Sequence, residues 1–167
     1  VFLDDKKVIN LAGIVGGEST SCSSETRSVL VECAYFNPEK IIGKCIKYGI
    51  QSDAAYKFER GVDPLCQEDV LRRFIYIVQK HANILSLELF SKTYKKYSKK
   101  LVPYDLNAIN NILGSNINNN EYKIYLRSLG FTISKNTIEV PSHRSDVKTQ
   151  NDLAEEVARC IGYNNIK

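Results

Sequence analysis

Residues 92–100 read KTYKKYSKK, five lysines and two tyrosines in nine positions. A stretch this charged offers no apolar periodicity with which to build a core. The patterned sequence on either side must therefore close two separate cores. At 167 residues the chain has enough length for two small domains. We place them at residues 1–95 and 98–167, with a solvated linker between that can also touch phosphates.

In the first part, alternation predicts a strand from Lys7 to Gly13 and an apolar one from Ser28 to Ala34, paired with each other across a glycine-rich loop. Pro38 after Asn37 starts a helix over Glu39–Tyr48. Asp63-Pro64 opens a longer one, whose stripe is Val70, Leu71, Phe74, Ile75 and Val78. Ile84–Phe90 reads as a further strand. In the second part, helices near Asp105–Leu113 and Asn120–Leu129 each stop at a glycine, Gly114 and Gly130. Phe131–Ser134 and Thr137–Val140 form a hairpin, and a last helix runs from about Thr149 to Cys160. The fold class is α+β: a mixed part, then a small helical winged-helix-like domain with a β-hairpin.

Several classes of protein are excluded by composition. No apolar run approaches the about 18 residues of a spanning helix, so no membrane role is expected. Five cysteines without a C-x-x-C pair indicate neither a disulfide framework nor a zinc ribbon. A net charge of +4 permits a polyanionic partner but falls short of a strong nucleic-acid signature. The chain begins at Val1 and holds no methionine, which we read as a piece of a longer chain, and its acidic and basic start argues for a cytoplasmic protein. His81 and His143 accompany no nucleophile motif, so a triad hydrolase is not expected and no catalytic residue is assigned.

Six strings carry more than composition does. LAGIVGGE (11–18), VECAYFNP (31–38) and SDAAYKFERGVDP (52–64) resemble, in order and spacing, the editing domain of the bacterial-type phenylalanyl-tRNA synthetase beta subunit. LRSLGF (126–131), VPSHRSD (140–146) and DLAEEVARCIGYNNI (152–166) resemble the helical B-five domain that follows it in that family. The resemblance implies an ATP-dependent ligase that charges tRNA(Phe) as an alpha2-beta2 tetramer, with the aminoacylation site in the alpha subunit and no DNA partner. It also implies hydrolysis of tyrosyl-tRNA(Phe) made in error. A site shaped for phenylalanine cannot strongly reject an isostere that only adds a hydroxyl. The part of the editing domain before residue 1 is expected to supply further pocket residues, leaving this stretch alone inactive.

Carried onto this sequence, the editing pocket comprises Gly13, Gly16, Glu32, Ser52, Asp53 and Ala54. Glycines admit the substrate close to backbone, and Glu32 can accept a hydrogen bond from the tyrosine hydroxyl. Ser52 stands where the family commonly has threonine, and His143 where it has an aromatic. The resemblance further implies a Mg2+ site shared with the alpha subunit at Asp146, Asp152, Glu155 and Glu156. The last three fall at i, i+3 and i+4 of one helix. The residues alone read rather as acids favouring a helix N-terminus, and only the resemblance points to a metal. Two rival functions stand beside editing: a nucleic-acid-binding winged-helix-like module, and a structural piece that holds a partner chain.

Overall fold

The computed structural model describes residues 1–166 and divides the chain into two compact units, Val1–Lys92 and Thr93–Lys167. The architecture is α+β, with a small antiparallel sheet and several helices in each unit.

In the first unit, β1 (Phe2–Asp4), β2 (Lys7–Leu11) and β3 (Val15–Gly16) form a sheet in sequence order, with Asn10 opposite Gly16. The predicted strand at Lys7–Gly13 thus ends at Leu11, and both of its edges are taken by its own neighbours. That occupancy corrects the expected pairing with Ser28–Ala34. Neither that segment nor Ile84–Phe90 forms a strand, and Leu30, Leu85 and Phe90 are 95%, 97% and 87% exposed. Alternation marks sequence that would suit a strand, but a strand exists only where a neighbour accepts its ladder.

The helix expected over Glu39–Tyr48 is two short ones, α1 (Pro38–Ile41) and α2 (Lys44–Tyr48). Gly43, at φ +75°, breaks the run between them. Next, α3 (Asp53–Arg60) is capped by Ser52, and α4 (Gln67–Val78) begins three residues after Pro64. A small core joins Ile14, Ile41 and Ala55 to Leu11, Phe36, Cys45, Ile50 and Phe58. Phe36 and Phe58 meet edge to face at 5.0 Å.

In the second unit, β4 (Lys100–Pro103), β5 (Thr132–Ile133) and β6 (Thr137–Val140) give a sheet of order β4-β6-β5. The lysine-rich run therefore ends inside a strand. Three helices cover the sheet: α5 (Leu106–Leu113), α6 (Asn119–Ser128) and α7 (Gln150–Ile161). Each start is fixed by a side chain: Asp105 accepts from Ala108 N at 2.9 Å, while Asn118/Glu121 and Thr149/Asp152 form reciprocal capping boxes. The core gathers Val102, Ile109, Leu126, Phe131, Ile138, Val147, Leu153 and Val157.

Tyr122 lies at the centre of this core with 0% exposure, and its hydroxyl has no hydrogen-bond partner among the described residues. Burial pushes its pKa upward. An unpartnered buried hydroxyl costs about 1–3 kcal/mol, while its ring supplies the packing. Tyr122→Phe is therefore expected to stabilise the unit by about 1 kcal/mol, seen as a higher denaturant midpoint at unchanged slope. A lower midpoint would show that the hydroxyl does useful bonding.

Candidate functional site

The first candidate site lies at the turn from β2 to β3. Ile14 N donates to Leu11 O at 2.8 Å, and Gly17 N to Ile9 O at 2.8 Å. These two bonds hold three glycines in unlike roles. Gly13 has φ +71°, and a Cβ there would stand 2.7 Å from the Phe36 ring. A Cβ on Gly17 would meet the Ile9 carbonyl oxygen at 2.7 Å. Gly16 has open space around the same point, with nothing within 4 Å. Two of the glycines thus serve packing, and the third leaves a hollow.

Ser52 ties this turn to α3. Its hydroxyl donates to the Ile14 carbonyl and accepts from Ala55 N at 3.1 Å. The following turn of α3 then brings Ala54 and Phe58 to the hollow. Gly13, Ile14, Val15, Gly16, Glu32, Ala34, Ala54, Phe58 and Asn10 enclose a cleft of about 160 Å3. Four of the six residues expected from the sequence, Gly13, Gly16, Glu32 and Ala54, line it. Ser52 lies behind the wall as the cap of α3, and Asp53 is exposed in the helix's first turn.

Glu32 is the acidic group of the cleft. Asn10 Nδ2 donates to Glu32 Oε2 across 3.4 Å. Glu32 as a residue is exposed, but the atoms crowding its carboxyl desolvate it and raise its pKa, opposed by the Asn10 bond. The shift is therefore a partial one. Asn10 and Phe58 went unassigned in the sequence. The available signal was a lone amide in the strand KVINL.

The second candidate is the acidic group of α7. Arg144 Nη2 bonds Asp146 Oδ2 at 2.5 Å and Glu156 Oε1 at 2.6 Å. Arg159 pairs with Glu155 at 2.7 Å and reaches Glu156 at 3.3 Å. Asp152 turns the other way, accepting from Lys148 N and Thr149 N, both at 2.8 Å, to close its own helix start. Asp146 and Glu156 do come together, as the sequence led us to expect, but around a guanidinium. Among the described residues no three His, Cys, Asp or Glu side chains are grouped to hold a metal ion. The four carboxylates, as folded, do not fit a magnesium cage. His143 and His81 are both exposed.

A groove-reading role has little to work with here. The helix α5, LNAINNIL, has no charged residue, and α6 offers Lys123 and Arg127 against Glu121. No described helix is long and apolar enough to cross a membrane.

Comparison with known proteins gives two family matches, the B3/4 domain over residues 1–83 and the tRNA synthetase B5 domain over residues 102–163. The chain is 34% identical over 178 residues to the phenylalanine-tRNA ligase beta subunit of Legionella pneumophila (strain Lens), covering 100% of this chain and 22% of that one. It is likewise 34% identical to the beta subunits of Neisseria gonorrhoeae, over 170 residues, and Protochlamydia amoebophila, over 172 residues. Each of those alignments covers 99% of this chain and 22% of the relative, so the chain spans about a fifth of their length.

Proposed function

Because the chain belongs to the family of phenylalanine-tRNA ligase beta subunits, with a B3/4 domain followed by a B5 domain, we propose that its first unit takes part in hydrolytic editing of tyrosyl-tRNA(Phe). Its second unit supports the ligase's charging of tRNA(Phe) beside an alpha subunit. The observation that carries this reading is the cleft itself: glycine backbone, one small side chain from α3 and a single carboxylate share about 160 Å3.

The chemistry follows from one functional group. Tyrosine exceeds phenylalanine by a hydroxyl, and an ionised carboxylate accepts the hydrogen bond that the hydroxyl donates. A phenylalanyl ester in the same cleft brings Glu32 no such donor. A cleft that leaves its polar group unpaired with the wrong ligand discriminates more sharply than one that only loses area. Gly16 lets the aminoacyl end approach the backbone, and Ala54 and Phe58 give an apolar wall for the ring. ATP and magnesium enter as the substrate and cofactor of the whole ligase.

The test is Glu32→Ala in the assembled ligase. Losing a hydrogen bond to a charged acceptor should reduce the preference for tyrosyl- over phenylalanyl-tRNA hydrolysis by about 1.5–3 kcal/mol, with charging by phenylalanine unchanged. Clearance of tyrosyl-tRNA at the parental rate would remove Glu32 from the site.

A further inference from the structure

Asn10 sits on β2 directly opposite Gly16 of β3. Cross-strand partners project to the same face of a sheet, so the missing side chain at Gly16 leaves Asn10 room to lean over the cleft. Its Nδ2 reaches Glu32 Oε2 at 3.4 Å, while its Oδ1 is buried and has no hydrogen-bond partner among the described residues. A buried carbonyl oxygen without a donor is costly, and such groups occur in native proteins where a ligand or water completes them. The amide thus places its donor half on the carboxylate of the cleft that Asn10 also lines, while its acceptor half lies buried.

We infer that Asn10 is a specificity-determining positioning residue that acts through Glu32, its amide donor keeping the carboxylate an acceptor at the cleft. The inference rests on the editing reading for its substrate, but not for the coupling of Asn10 to Glu32.

That coupling has a definite sign. Desolvation raises the Glu32 pKa, and the Asn10 bond lowers it. The Cys33 thiol stands next in the chain, is influenced by Glu32, and is itself pushed up by burial. Removing the amide donor leaves desolvation less opposed, so Glu32 takes up its proton at higher pH. A protonated carboxyl donates a hydrogen instead of only accepting one, and the reading of a hydroxyl suffers.

Two variants test this in the assembled ligase. Asn10→Ala removes the donor. Asn10→Asp keeps the shape and sets a like charge beside Glu32. The Glu32 carboxyl, followed by carbon NMR, is expected to titrate in the order parent, Asn10→Ala, Asn10→Asp from lowest to highest. The preference for tyrosyl-tRNA in hydrolysis should fall about tenfold in Asn10→Ala under mildly acidic conditions and return as the pH rises. A purely structural loss would not return with pH. Unchanged Glu32 titration in the aspartate variant, or a preference lost equally at every pH, overturns the role. If the parent hydrolyses the two esters alike, the editing reading falls, and the titration order alone decides Asn10.

Discussion

Arg144→Met is expected to lower the stability of the second unit by about 3 kcal/mol, close to the lower end of the range for breaking a buried ion pair. Glu156 is the reason. It lies on the inward face of α7 among Leu153, Ala154 and Val157, with 3% exposure. Its carboxylate is covered by two arginines and not by the depth of the core, since Arg144 Nη2 approaches to 2.6 Å and Arg159 Nη2 to 3.3 Å. Arg159 is half exposed and already bonded to Glu155, so it compensates only in part. With Arg144 gone, Glu156 must take up a proton or draw in water, and Asp146 loses its closest cation.

The acid response gives an independent check. Hydrogen bonds from Arg144 lower the Asp146 pKa from 3.8 to about 2, and the same guanidinium lowers that of Glu156 from 4.5. Groups whose folded pKa lies below the unfolded value add stability that is present above the unfolded pKa and lost as pH falls through the folded one. For Asp146 that window runs from 3.8 down to about 2. Asp146 is 62% exposed as a side chain, so solvent screening leaves most of the effect with Glu156. Chemical denaturation of the parent should therefore show stability falling as pH drops below 4.5, where Glu156 begins to contribute, and Arg144→Met should show a flatter dependence. The double variant Arg144→Met plus Glu156→Met should recover most of the loss, because it leaves no buried charge behind. If the single variant unfolds at the parental denaturant concentration, the network contributes nothing and its carboxylates are free to serve another ligand.

The residues that make this network visible were legible in the sequence only in part. The spacing of Asp152, Glu155 and Glu156 placed three acids on one face of the last helix, and its start near Thr149 was read from the sequence, but the reciprocal cap of Thr149 and Asp152 was not. The spacing says nothing of where a carboxylate turns once an arginine competes for it. Arg144 stands outside the helix and reaches Glu156 through a bend, a contact no periodicity encodes. The helices of the second unit were readable for a similar local reason: caps and glycine stops sit within a few residues of the elements they bound. The first unit was less so. Its strands need partners distant in sequence, and Ser28–Ala34 and Ile84–Phe90 carry strand patterns without a ladder to join. In the cleft, the string match marked Gly13, Gly16, Glu32 and Ala54 as near one another. Neither composition nor spacing could tell which glycine was structural, because that depends on what a Cβ would strike.

That difference between neighbouring glycines gives the second large effect. Gly16→Trp is expected to abolish tyrosyl-tRNA hydrolysis, a fall of at least about a hundredfold, while the unit keeps its fold. A Cβ at Gly16 meets nothing within 4 Å, and its backbone is not in the left-handed region, so the substitution strains neither the turn nor β3. Gly16 lines the cleft shared with Asn10 and Glu32, and the indole is expected to fill it. Gly17→Ala is the control in the opposite direction. Its methyl would press on the Ile9 carbonyl oxygen at 2.7 Å, backbone that already accepts the Gly17 N–H. The smaller change should therefore disturb the β2–β3 turn, lower the thermal midpoint and reduce hydrolysis only as far as folded protein is lost. Circular dichroism and ester hydrolysis, measured together on both variants, separate the two roles. A Gly16→Trp protein that melts early, or one that melts normally and still clears tyrosyl-tRNA, would mean that the substrate lies elsewhere.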